Sequence, residues 1–200
     1  MTDPASPDPA PQDASGATAA LAGYDYQLNV SILAVLRILF VTKSASRITL
    51  EPVNADDIEV ELAEDDPGHI ETRAQFDVAT RLVMQVKLRG GDPWSLAAFE
   101  QLLKHGKRRA PAKDHLVDPD VRYLLVTNAD VAGVARSLLV EDFEERPGQD
   151  DFPASLREIL PNGPEGRVAI YAALTPKLLG YEIEHILTSI LRVPKDRQGP

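Results

Sequence analysis

The sequence predicts an α/β domain with a mixed central sheet flanked by helices. Helix-like and strand-like patterns follow one another in the order α, β, β, β, α, β, α, β, α, which is typical of that class. Residues 121–126 are apolar apart from Arg122, as expected of a buried strand. The chain has 200 residues, of which 44% are hydrophobic and 26% charged, and is long enough to bury one core of ordinary size.

Composition divides the chain into three parts. Residues 1–20 are mainly Pro, Ala, Asp and Ser without periodicity, so we expect a disordered tail there. Residues 21–192 carry the periodic patterns and form the predicted domain, and residues 193–200 are expected to be a linker or tail. The absence of cysteine excludes disulfides and thiolate zinc sites, and the four histidines show no ligand spacing.

The first helix is predicted from Gly23 to about Phe40, with an apolar stripe that packs against the sheet. The apolar run 30–41 is interrupted by Ser31 and Arg37 and is too short to cross a bilayer. No basic segment precedes it, as a signal peptide would require. We therefore expect a cytoplasmic protein without a membrane partner. The stripe consists of Tyr24, Leu28, Ile32, Val35, Leu36 and Leu39.

Alternation of apolar and polar residues predicts the strands. In residues 57–62, Ile58 and Val60 face inward and the acidic residues face the other way. The pattern of residues 70–78 is compatible with a further strand. Ser95 is expected to cap a helix that ends near Arg108. The other predicted elements are strands at 48–51, 82–88 and 167–174, and helices at 131–140, 153–159 and 177–191.

Gln85 and Lys87 occupy alternate positions of the predicted strand 82–88 and therefore share a face. A half-buried edge strand with one solvated face explains this pattern as well as a functional site does. The segment before it brings carboxylates, including Glu51 and Asp57. Carboxylate and amide oxygens hold Mg²⁺, while an ammonium positions a water molecule and offsets developing charge. These groups are the parts required for metal-assisted phosphodiester cleavage.

Four short motifs follow one another along the chain. They are Gly23-Tyr24-x-Tyr26-Gln27 on the first helix, Glu51 with Asp56-Asp57-Ile58, Gln85-Val86-Lys87, and Leu124-Leu125-Val126-Thr127-Asn128 before a helix. This order resembles the PD-(D/E)xK nuclease superfamily, which has the restriction-endonuclease-like fold. The similarity covers residues 23–140 and is greatest to the branch whose third motif is Gln-x-Lys. That branch includes modification-dependent restriction enzymes and the N-terminal double-stranded DNA endonuclease domains of bacterial antiphage effectors.

The resemblance implies an endonuclease that uses Mg²⁺ or Mn²⁺ to hydrolyse the phosphodiester bonds of DNA. Asp57 matches the metal-binding aspartate, Gln85 the position usually held by Asp or Glu, and Lys87 the catalytic lysine. Adjacent residues of a strand point oppositely, so only one of Asp56 and Asp57 faces the metal. Asp57 is preferred because it leaves Ile58 on the buried face.

Two further residues are carried over from the resemblance. Glu51 matches an acidic position before the aspartate and would be an additional ligand, and Gln27 matches a supporting polar residue on the first helix. The chain also departs from the family pattern in two ways. Pro52 does not immediately precede Asp57, and the neutral Gln85 binds a hard cation less strongly than a carboxylate does.

The partners implied by the resemblance are DNA, further copies of the chain, and a sensor or NTPase module in cis or in trans. Cutting both strands of a duplex needs two sites, so we expect a homo-oligomer. The net charge of −10 opposes DNA binding, but basic residues concentrate between positions 81 and 113. The predicted DNA contacts are Arg89, Lys104, Lys107 and Arg108.

Two other functions stay open. The first is a nucleic-acid-binding or oligomerisation module of a larger defence protein whose nuclease site has decayed, which the neutral Gln85 favours. The second is an interaction domain that binds no nucleic acid, which the net charge favours.

Overall fold

The central element of the fold is a five-stranded sheet, whose strand order follows the order along the chain. The first three strands pair antiparallel, and the last three pair parallel. The predicted α/β class with a mixed sheet is therefore confirmed. The strands are β1 (Ala45–Leu50), β2 (Ile58–Leu62), β3 (Arg81–Lys87), β4 (Val121–Thr127) and β5 (Val168–Tyr171). This computed structural model describes residues 14–51, 57–62, 81–105, 111–148, 150–160 and 162–191.

Helices cover both faces of the sheet and enclose two cores. The long-helix layer consists of α1 (Ala14–Ala34), a π-helical segment (Val35–Val41) and α5 (Pro176–Leu191). The short-helix layer, on the other face, consists of α2 (Leu96–Lys104), α3 (Ala112–His115), a 3-10 helix (Gly133–Leu138) and α4 (Ala154–Ile159). Residues of β3 and β4 alternate between the two cores, so both strands are buried on both sides.

The π segment continues α1 without a break and ends at a bond that spans five residues. The amide of Thr42 donates to the carbonyl of Arg37 at 2.8 Å, as the wider π turn requires. The Arg37 guanidinium binds Glu182 at 2.7 Å and Asp142 at 3.4 Å. Burial by itself lowers the pKa of Arg37, but the hydrogen bond to Glu182 and the nearby negative charges outweigh it, so the pKa is raised. The contact with Glu182 joins the π segment to α5, and the contact with Asp142 joins it to the loop after the 3-10 helix.

The N-terminal segment differs from the prediction in two respects. Residues 14–20, predicted to be disordered, are helical, and four of these seven residues are alanine, the strongest helix former. The predicted core stripe also lies on the wrong side of α1, because Tyr24, Leu28 and Ile32 are 56%, 45% and 39% exposed. The helix is apolar around most of its circumference, so spacing alone did not select the buried face. The residues that pack on the sheet are Tyr26, Val30, Leu33 and Ala34.

The helical stretch Gly16–Val41 is long and apolar enough to cross a membrane, by length and composition only. It is longer than the run 30–41 that the sequence singled out. The same stretch supplies core residues such as Val30 and Ile38, which are fully buried against the sheet and its neighbours. A core helix of a folded domain passes the same test of length and composition.

Several other boundaries are corrected. β3 is the central strand of five, so the edge-strand explanation of Gln85 and Lys87 is wrong. The predicted helix at 131–140 is a shorter 3-10 helix, which begins at Gly133 in a left-handed conformation with φ of +62°. β5 ends at Tyr171, before Ala173 turns the chain with φ of +57°. The short helix α3 was not predicted.

The expected cap of α2 is confirmed. The Ser95 hydroxyl accepts a hydrogen bond from the Ala98 amide at 3.2 Å. The helix ends at Lys104, earlier than the predicted end near Arg108. The predicted strand at 70–78, most of the N-terminal tail and the C-terminal tail lie outside the described residues.

Candidate functional site

Asp57 lies just before β2 and bonds to β3 through both its backbone and its side chain. Its amide donates to the Met84 carbonyl at 3.1 Å, and its Oδ2 accepts from the Val86 amide at 2.7 Å. Val86 is the residue between Gln85 and Lys87. The carboxylate is therefore bound to the backbone of the residue that separates Gln85 from Lys87. It also gives the Val86 amide an acceptor at a point of β3 that lies beyond Ile58, the first residue of β2.

Gln85 is half-buried in β3 and bonds to a residue that the sequence did not indicate. The Tyr123 hydroxyl in β4 donates to the Gln85 Oε1 at 2.6 Å. Tyr123 is 1% exposed and packs near the Phe99 ring, with 6.5 Å between the ring centroids. A carbonyl oxygen has two lone pairs, so this bond leaves one for a second partner. The sequence indicates this bond only indirectly, because a tyrosine in a buried strand needs a hydrogen-bond partner for its hydroxyl.

Lys87 is the last residue of β3 and pairs in register with Thr127 of β4. Its side chain is half-buried. Within the described residues, Lys87 forms no ion pair and no side-chain hydrogen bond. Its neighbour Thr127 is held in place, because the Thr127 hydroxyl accepts from the Trp94 indole at 3.1 Å.

Glu51 and Gln27, which were carried over separately from the resemblance, contact each other. The Gln27 Nε2 donates to the Glu51 Oε1 at 3.4 Å, and the Glu51 amide donates to the Asp57 carbonyl at 2.9 Å. Glu51 turns out of β1 with φ of +48°, a left-handed conformation that is uncommon for a residue with a side chain. Its carboxylate leans toward α1, in the long-helix layer. The Gln85 side chain bonds to Tyr123 on the other side of the sheet. The Glu51 and Gln85 side chains therefore lie on different sides, and Glu51 is linked to Asp57 mainly through its backbone amide.

The loops that follow β3 and β4 are joined at the same end of the sheet. The Arg89 amide donates to the Asn128 Oδ1 at 2.7 Å, and the Asn128 Nδ2 donates back to the Arg89 carbonyl at 3.0 Å. The Arg89 guanidinium lies 4.6 Å from the centre of the Trp94 ring. This contact holds one predicted DNA-binding side chain beside the end of β3.

The other predicted basic contacts are less well placed. Lys104 is exposed on α2 and pairs with Glu100 at 3.9 Å. Arg81, at the opposite end of β3, lies 3.5 Å from Glu59. Lys107 and Arg108 lie outside the described residues. The basic surface expected between positions 81 and 113 is thus partly neutralised by acidic neighbours where the structure describes it.

The oxygen atoms at the site suit a hard cation that is shared with a substrate. Across the ranges that the structure describes, no group of three or more His, Cys, Asp or Glu side chains is placed to hold a metal. The set of donors is the Asp57 carboxylate and the Gln85 amide oxygen, whereas the Glu51 carboxylate is turned toward Gln27. Mg²⁺ usually takes one or two protein carboxylates and completes its shell with water and substrate phosphates. These residues fit that mode of binding.

Comparisons with known proteins identify no relative of this chain. No family model, no curated protein and no solved structure matches it.

Proposed function

We propose that this chain is a metal-dependent DNA endonuclease of the PD-(D/E)xK type, with a restriction-endonuclease-like fold. The observation that carries the proposal is the hydrogen bond between Asp57 and Val86, which holds a carboxylate beside the residue separating Gln85 from Lys87. The element order supports it as well. A first helix, three antiparallel strands, two helices and a parallel strand follow one another, and the last three motifs lie at the same end of the sheet.

Each residue has a role in this proposal. Asp57 and Gln85 present oxygens to Mg²⁺ or Mn²⁺. The Glu51 carboxylate bonds to Gln27 and would have to turn toward Asp57 to become a further ligand. A bound ion would polarise the scissile phosphate and lower the pKa of a water molecule. Lys87 orients the attacking water and offsets the charge that develops on the phosphate. Gln27 holds the Glu51 carboxylate through the contact described above.

Arg89 is the proposed contact to the DNA backbone nearest the site, because the Trp94 ring and the Asn128 bonds hold it at the end of β3. Lys104, Lys107 and Arg108 would add phosphate contacts. Such contacts give affinity without sequence preference. The cellular context rests on the resemblance alone: a cytoplasmic effector module of bacterial antiphage defence, controlled by a sensor or NTPase module.

Plasmid cleavage tests the proposal. Supercoiled DNA is incubated with the chain and Mg²⁺, Mn²⁺ or EDTA, using wild type, Lys87→Ala and the control Lys43→Ala, because Lys43 is exposed and precedes β1 at the other end of the sheet. We expect metal-dependent cutting that EDTA abolishes, that Lys87→Ala lowers by about 100-fold or more, and that Lys43→Ala leaves nearly unchanged. Absence of cutting with every metal, or full activity of Lys87→Ala, would contradict the proposal.

A nucleic-acid-binding module with a decayed site is the second candidate. Two observations favour it: the neutral Gln85 already accepts a hydrogen bond from Tyr123, and no group of three metal-binding side chains occurs in the described ranges. DNA retention in a mobility-shift assay without any cleavage would support this candidate. If the chain neither binds nor cuts DNA, an interaction domain without nucleic acid is the better conclusion, in keeping with the net charge of −10.

A further inference from the structure

The outer side of the long-helix layer is unusually apolar. In the part of the chain that the structure describes, fourteen large hydrophobic side chains are exposed, of which four lie on α1, two on the π segment and four on α5. The four on α1 recur every three or four residues, so they share the side of that helix opposite the buried Tyr26 and Val30. Monomeric soluble proteins rarely expose a contiguous apolar surface of this kind, which marks an interaction site.

The charge distribution narrows the choice of partner. Between Ala14 and Leu36 the single charged residue is Asp25, although the whole chain carries a net charge of −10. Two copies of so acidic a chain repel each other across most surfaces. On the outer face of α1 two copies can meet with a single pair of like charges, the two Asp25 carboxylates.

The apolar stripe on α1 is also complementary to itself. Its large side chains are Leu21, Tyr24, Leu28 and Ile32, at intervals of three, four and four residues. When two α1 helices pack antiparallel, Leu21 of one copy meets Ile32 of the other, and Tyr24 meets Leu28. Each large apolar side chain then faces another, as a two-fold interface between identical chains requires.

We propose that the outer face of α1 is the interface between two copies of this chain, with the α1 helices antiparallel. The proposal does not depend on nuclease activity. A bilayer is the competing occupant, and the residues disfavour it. Helices that bind membrane surfaces carry Lys or Arg beside the apolar face, α1 has neither, and the acidic chain is repelled by anionic lipids.

Sedimentation velocity across a dilution series tests the interface with the full chain. Wild type should sediment at twice the chain mass of 21.8 kDa. Leu28→Glu and Tyr24→Glu should each raise the dimer dissociation constant by about 30-fold or more, as expected when an apolar anchor is lost from an interface. Val134→Glu is the matched control, because Val134 is 63% exposed on the short-helix layer. Circular dichroism melting confirms that each variant is folded.

Cross-linking tests the antiparallel arrangement. The chain has no cysteine, so Asp25→Cys supplies a single thiol near the expected two-fold axis. A short bismaleimide should cross-link that variant and leave Val134→Cys uncoupled. A monomeric wild type, a dimer that both glutamate substitutions leave intact, or failure of Asp25→Cys to cross-link would overturn the proposal. Flotation of monomeric wild type with vesicles of phosphatidylcholine and phosphatidylserine would overturn it too, and would assign the face to a bilayer.

Discussion

The Asp57 carboxylate accepts a 2.7 Å hydrogen bond from the backbone amide of Val86. The bond gives the Val86 amide of β3 an acceptor just beyond Ile58, the first residue of β2. It also places a negative charge beside the segment that carries Gln85 and Lys87. Asp57 has a structural role, as acceptor for the Val86 amide, and a proposed role as a metal ligand, and both need an oxygen atom at this point. Only the metal ligand needs the negative charge of the carboxylate, so a substitution that keeps the oxygen and removes the charge separates the two roles.

Asp57→Asn should separate them. The asparagine amide oxygen still accepts from Val86, so we expect the free energy of unfolding to change by less than about 1 kcal/mol. Cleavage should fall by about 100-fold or more because the charge is lost. Urea denaturation and the plasmid assay measure the two effects, and Asp57→Ala should lose both stability and activity. Wild-type cleavage by Asp57→Asn would leave Asp57 with the structural role alone.

Tyr123→Phe removes the hydroxyl that holds the Gln85 side chain. We expect a loss of about 1 kcal/mol in the free energy of unfolding and about tenfold weaker Mn²⁺ binding by calorimetry, as is usual for residues that orient a metal ligand. Tyr26→Phe is a matched control, because Tyr26 is also a buried tyrosine and donates to the Leu174 carbonyl at 2.9 Å in the other core. It should lose similar stability with unchanged metal affinity. Equal affinities in both variants would make Tyr123 purely structural.

Arg167→Met should destabilise the fold strongly. The buried guanidinium donates to the carbonyls of Val121, Leu116 and Asn162 at 3.0 Å each, and also to that of Asp118. Its loss leaves buried carbonyls without a donor, which should cost about 3 kcal/mol or more.

The comparison for Arg167→Met is Arg157→Met, which breaks an ion pair with Glu165 at the surface. Because surface pairs contribute little, this control should cost less than about 1 kcal/mol. Urea denaturation of both variants gives the two values. Similar losses would show that the carbonyl contacts of Arg167 contribute little to stability.

Stability should fall in alkali because two tyrosines titrate late in the folded state. Burial raises the pKa of Tyr26 and of Tyr171 above the ordinary value. A raised pKa stabilises the fold fully below the unfolded value of about 10, and that contribution is lost as pH rises through the folded pKa. Urea midpoints should therefore decline above about pH 10. Tyr26→Phe should decline less steeply, and an identical slope would contradict this origin.

Local patterns predicted the strands well, because alternation is a property of each segment by itself. The repeat of Ile58 and Val60 gave β2 its inward face, and Gln85 and Lys87 were paired because they stand on one strand. The same kind of reasoning chose the wrong side of α1. Both sides of that helix are apolar, so the buried side depends on what packs against it and not on spacing.

The site was predictable only in part for the same reason. The bond from Tyr123 to Gln85 depends on the parallel register of β3 and β4, which no local pattern encodes. The contact between Gln27 and Glu51 depends on how α1 packs beside the end of β1, which no local pattern encodes. The contact between the Arg89 guanidinium and the Trp94 ring depends on how the chain turns after β3, and the sequence did not predict it.

The π turn at Val35–Val41 affects how this chain tolerates changes in length. A π turn accommodates one residue more than an α turn, so deletion of one residue there converts it to an ordinary α-helix. Deletion within β3 would instead invert every following side chain of that strand. The junction between the first helix and the sheet is thus the position at which evolution or engineering can shorten the protein while Asp57 and Lys87 keep their places.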